Sequence, residues 1–73
     1  MSKFERILPK EEKEFLEEKI SEAELLHLTE PDEEVVKEIG ILSRQGYAGV
    51  EDYKNRYYEI ISHNVADYKL DSL

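Results

Sequence analysis

Apolar residues in this chain recur every three or four positions in three successive segments, and no run alternates strictly with polar ones. A period near 3.6 places a stripe on one side of a helix, whereas a period of 2 places a face on a strand. The whole chain is 73 residues long and contains no cysteine. Neither a disulfide nor a thiolate metal site can staple it, and a single core of this size leaves a net stability of only about 3–5 kcal/mol. These constraints predict an all-α fold, a small three-helix bundle with a short N-terminal helical turn.

Ser2 and Glu5 stand at capping-box spacing, and Phe4, Ile7 and Leu8 follow on one face. They predict one or two helical turns in an arm over residues 1–8, ended where Leu8 meets Pro9. Pro9 suits the first turn of a new helix over 9–28, with Phe15, Leu16, Ile20, Ala23, Leu26 and His27 within about 140° of arc. Ser21 and Glu24 repeat the capping-box spacing, but the stripe passes them without a change of phase. Thr29 is the expected N-cap of a helix over 30–45, whose Val35, Val36, Ile39 and Leu42 share a face and whose stop is Gly46. Gly40 lies inside that helix, at a cost of about 1 kcal/mol relative to Ala. After the loop Tyr47–Gly49, a third helix is expected over 50–67. Its Val50, Tyr53, Tyr57, Tyr58, Ile60, Ile61, Val65 and Tyr68 fall within about 160°, interrupted by Lys54 and Asn64. The expected helical body is 9–68, followed by a frayed tail over 69–73. Connections of three to five residues suit antiparallel neighbours.

The formal charge is −8, and it is not spread evenly. Residues 11–34 hold eleven acids against Lys13 and Lys19, while the rest of the chain is close to neutral. Such a field opposes binding to a phosphate backbone or an anionic membrane and favours basic partners. No stretch approaches the roughly 18 apolar residues of a membrane span, and no signal-peptide core follows Met1. A cytoplasmic protein is expected.

Chemistry-bearing patterns are sparse. Glu24 and His27 make an E-x-x-H spacing, but a di-iron bundle needs two such motifs and two further inward carboxylates. The other pair, Glu59 and His63, is four apart. His27 is expected at the edge of the core, bonded at one nitrogen, and His63 in solvent. No serine sits in a nucleophile elbow, and Gly40, Gly46 and Gly49 fit no phosphate-binding loop. The expectation is no enzyme, no cofactor and no metal.

Two features point to macromolecular contact. Glu11, Glu14, Glu18 and Glu22 form an acidic ridge opposite the apolar stripe of the first long helix, with neighbours roughly 5–6 Å apart. Tyrosines crowd the last third, and tyrosine is favoured at binding surfaces. Tyr53, Tyr57 and Tyr68 are expected in the core stripe, and Tyr47 and Tyr58 at an interface. Leu25, Leu28 and Ile41 lie off their stripes and would form an apolar patch if the fold gathered them. The reading that follows is a small acidic regulator or inhibitor that binds a larger, basic protein. One alternative is a nucleic-acid mimic of the kind carried by phages and mobile elements, its carboxylates standing in for phosphates. Another is a self-associating structural protein, a homodimer. A last alternative is a helix-turn-helix reader with Arg44, Lys54 and Arg56 on phosphates.

Overall fold

A computed structural model describes residues 6–71, and the side chains of residues 6–69. The order is β1 (Arg6–Ile7), α1 (Lys10–Leu25), α2 (Glu33–Arg44), β2 (Tyr47–Ala48) and α3 (Val50–Asp71). Three helices carry the fold, as their apolar spacing requires, and the architecture is a small all-α bundle. The longest helix, α3, is the keel: at 1.5 Å per residue its 22 residues span about 33 Å. Helix α1 lies mainly against it through Leu16, Ile20 and Ala23, and α2 through Val35, Ile39 and Leu42, all buried. From α3 come Val50, Tyr57 and Ile61, and Leu8 closes the core from the N-terminal side.

The N-terminal segment departs from expectation. Residues Arg6 and Ile7 are extended rather than helical, and they pair in parallel with Tyr47 and Ala48. The cause is local. A residue preceding proline is pushed out of the α region, so Leu8 is extended before Pro9, and burial of its side chain holds the segment down. The Arg6 N–H donates to the Gly46 carbonyl at 3.3 Å. The bridge thus satisfies backbone groups of the α2–α3 connection that would otherwise depend on water. Gly46 and Gly49, at φ +79° and +87°, turn the chain on either side of it. The capping-box pair Ser2 and Glu5 lies outside the described residues.

Two helix ends also shift. Helix α1 stops at Leu25, not at residue 28. The His27 N–H donates to the Glu24 carbonyl at 3.4 Å and the Leu28 N–H to the Ala23 carbonyl at 3.0 Å. This is a Schellman ending, with the left-handed residue normally filled by glycine supplied here by His27 at φ +54°. Leu26 and His27, expected in the buried stripe, are therefore exposed. Helix α2 begins at Glu33, and its cap is Asp32 rather than Thr29. The Asp32 carboxylate accepts from the Glu34 N–H at 2.9 Å. Glu30 precedes Pro31 and is disfavoured in a helix, which prevents the earlier start.

The connection between α1 and α2 is held by two polar side chains of α3, seven residues apart and so on one face. The amide nitrogen of Asn64, a residue only 8% exposed, donates to the carbonyls of Ala23 at 3.1 Å and Leu28 at 2.8 Å. The hydroxyl oxygen of buried Tyr57 accepts from the Asp32 N–H at 2.8 Å. Beyond Asn64, α3 continues to Asp71, so residues 69–71, expected in the tail, are part of the helix. Nothing in that stretch breaks a helix. This overrun leaves Tyr68, expected in the core, 66% exposed, and gives a body 51 Å long and only 15 Å in its least dimension.

Replacing Asn64 by Ala leaves the Leu28 carbonyl without its buried donor and is expected to cost roughly 1–3 kcal/mol in urea unfolding. Asn64→Asp, which sets a carboxylate against two carbonyl oxygens, should cost more; an unchanged midpoint in both variants would refute the clamp. In contrast, His27→Gly relieves a left-handed backbone and is expected to stabilise by about 1 kcal/mol. Gly40→Ala should give a gain of the same sign and order, because a Cβ there meets nothing within 4 Å. For a domain of this size either gain raises Tm by roughly 4–8 °C in a thermal melt.

Candidate protein-binding surface

Helix α1 has two opposed faces. One carries Leu16, Ile20 and Ala23 onto α3. About 180° away on the helical wheel run Glu11, Glu14 and Glu18, all exposed, followed by Ser21, Glu22 and Leu25. The ridge is thus present as one continuous face. Glu11, Glu14 and Glu18 form no ion pair among the described residues. Glu22 is half-buried, and its carboxylate lies 3.7 Å from the Lys19 ammonium. The ridge runs into Leu25 and Leu26, which are 78% and 64% exposed. With Glu18, Ser21 and Glu22 they line an open groove of about 320 Å³.

Leu26 was not visible as a surface residue in the sequence. Its exposure depends on where α1 stops, and that stop is made by a histidine, which carries none of the signal a glycine would give. The remaining apolar candidates are dispersed. Leu28 is half-buried against the core. Ile41 is 38% exposed but sits toward the other end of α1, since Glu38, one turn before it, meets Glu12 in the first turn of α1. Glu12 and Leu25 are about 20 Å apart along the helix, so Leu25 and Ile41 form no common patch. Tyr47 is half-buried, with the Arg6 guanidinium 5.7 Å from its ring centre. Tyr58 is half-buried and meets Tyr57 edge to face at 5.9 Å. Neither tyrosine borders the groove beside Leu25 and Leu26.

Of the tyrosines expected in the core, Tyr57 is enclosed and Tyr53 is half-buried. The Tyr53 hydroxyl donates to the Glu17 carboxylate at 3.3 Å, tying α3 to α1. Desolvation, then the charge and hydrogen bond of Glu17, raise its pKa above the usual 10.0, with Arg56 opposing. A second cleft, of about 440 Å³, opens beside the β bridge between Leu8, Lys13, Tyr53 and Arg56. The helical E-x-x-H geometry does not form, because His27 lies past the end of α1 in the left-handed region and is exposed. Among the described residues, no three His, Asp or Glu side chains converge as a metal site would need. Of the cations considered for phosphate contact, Lys54 lies 3.9 Å from Glu51 and Arg56 lies over the Tyr53 ring. No helix among the described residues is long and apolar enough to cross a membrane.

The acidity leaves a trace in stability. Glu12 faces Glu38 across the α1–α2 contact, with Glu34 lining the same cleft. Its pKa is raised above 4.5 by partial desolvation, then by a hydrogen bond and charge repulsion from Glu38 and the charge of Glu11. The folded state therefore takes up a proton at higher pH than the unfolded chain. The stability tied to protonation is present below the unfolded pKa and is lost as pH rises through the folded one. Glu12→Gln is accordingly expected to raise Tm at pH 7, with the gain shrinking toward zero as the pH falls into the carboxylate range. A gain that persists at pH 3.5 would show that the pair is not the cause.

No family model matches the chain, no curated protein matches it, and no solved structure matches its fold.

Proposed function

We propose that this protein is a non-enzymatic binding module, a small regulator or inhibitor that acts by occupying a basic surface of another protein. The observation that carries this reading is the outward face of α1. Three exposed carboxylates in a row lead to two exposed leucines, within the 11–34 segment, whose eleven acids and two bases outweigh the charge of the whole chain. Like charges three and four apart cost helix stability, and the helix tolerates them because its opposite face is buried on α3. The acidic row would steer encounter with a basic partner, and apolar contact would supply residence time.

A nucleic-acid mimic is the second reading, and one observation favours it. Glu14 and Glu18 are separated by one helical turn, a rise of about 6 Å, close to the spacing of phosphates along a strand. Against it, the row of unpaired carboxylates is short, since Glu22 is tied to Lys19.

Affinity capture from extracts of the source cell, comparing the wild type with the Glu11, Glu14 and Glu18→Gln variant, tests the proposal. The expected outcome is a basic protein held by the wild type and lost or strongly reduced with the variant. Retention of the same proteins by both would overturn it. A captured protein that nucleic acid displaces, and that is shed steeply between 50 and about 200 mM salt, would select the mimic.

A further inference from the structure

Glu18, Ser21, Glu22 and Leu25 stand at i, i+3, i+4 and i+7 of α1, and Leu26, its C-cap in the αR region, follows at i+8. That is the spacing by which a helix covers another helix. Here it occurs on the face of α1 turned away from α3. Ser21, with its small side chain, lines the open groove beside Glu18 and Leu25. Together with Glu11 and Glu14 the stripe runs from the first turn of α1 to its last residue, about 21 Å, acidic along its length and apolar at its end.

We propose that this face is a seam for one amphipathic, basic helix of a partner protein. The partner's Lys or Arg residues, spaced one turn apart, lie along Glu11, Glu14 and Glu18, and an apolar side chain enters the groove between Ser21, Leu25 and Leu26. This deepens the function proposed above and rests on it. Charge selects the occupant. A second copy of this chain also carries −8 and would bring its own glutamates against Glu18 and Glu22, which costs free energy when like charges meet at a contact. A helix of opposite charge gains at the same positions. A single helical face lies at the small end of interface sizes, so affinity in the micromolar range is expected.

The test uses a fluorescein-labelled 18-residue peptide of leucine and lysine, arranged to form an amphipathic helix, and a scrambled peptide of identical composition. Anisotropy titration of the full-length protein should show the ordered peptide binding roughly tenfold or more tightly than the scrambled one. Leu25→Ser with Leu26→Ser should remove that difference, the scale expected when a central apolar anchor is lost. Both leucines are exposed, so the variant is expected to keep its helical circular dichroism and melt. Amide shifts in NMR should concentrate in residues 11–28, along the outward face of α1 and its end. Equal binding of both peptides, or shifts elsewhere on the molecule, would overturn the seam while leaving the acidic surface as a basic-partner site. No binding of either peptide at low salt would overturn both. A melting temperature that rises with protein concentration and falls back in the double-serine variant would assign the face to a second copy and overturn the proposal.

Discussion

The side-chain amide of Asn64 is the interaction on which the arrangement depends. It carries two donors and directs one nitrogen at the carbonyls of Ala23 and Leu28, the first in the last turns of α1 and the second beyond its end. Carbonyls at a helix C-terminus have no intrahelical partner and must find one elsewhere. A bundle of 73 residues has little apolar area to spare, and leaving the part-buried Leu28 carbonyl unsatisfied would remove a large fraction of a few kcal/mol. By holding both carbonyls, Asn64 fixes where α1 stops. Seven residues earlier, Tyr57 holds the Asp32 N–H and fixes where α2 starts. One face of α3 therefore sets both borders of the connection.

The same geometry explains how so acidic a segment can be folded. Helix α1 meets α3 with a narrow stripe, and its charged residues are turned outward, where the dielectric of water weakens their repulsion. Where acids do meet across the bundle, at Glu12 and Glu38, the contact is a liability, and the raised pKa of Glu12 registers it. Tyr53 bonded to Glu17 works the other way, joining two helices through a carboxylate at the margin of the core. The acidic character thus belongs to the surface, and the core is independent of it.

Periodicity made most of this legible. The wheel selects the buried Val35, Ile39 and Leu42 of α2 and Tyr57 and Ile61 of α3, although Val36, at the edge of its arc, is 38% exposed, and Gly46 marks the end of α2 as its left-handed backbone requires. The acidic face of α1 could be read for the same reason, because a wheel fixes angular position once a helix is assumed. What could not be read depended on partners distant in sequence. Asn64 looked like an interruption of the α3 stripe, because its value lies in carbonyls some 40 residues away. The extended pairing of Arg6–Ile7 with Tyr47–Ala48 has no alternating pattern to announce it; two residues are too few. Leu26 and Tyr68 were misplaced by the wheel because each lies where its helix leaves the body of the bundle, at the stop of α1 and on the overrun of α3.

The end of α1 borders the binding surface. Leu26 keeps its helical place, in the αR region with its N–H on the Glu22 carbonyl, and lies at the margin between the α3-facing stripe and the acidic face. The Schellman turn carries the chain away at His27, sets Leu28 half-buried against the core, and leaves two adjacent leucines in solvent at the end of an acidic row. The turn is built on a histidine at positive φ, a conformation that costs an L-residue about 1–2 kcal/mol, in a domain with only a few kcal/mol in hand. Glycine would form the same turn without that cost. The stop of α1 is therefore held against local preference by tertiary contacts through Asn64 and Leu28, directly beyond the exposed leucine pair.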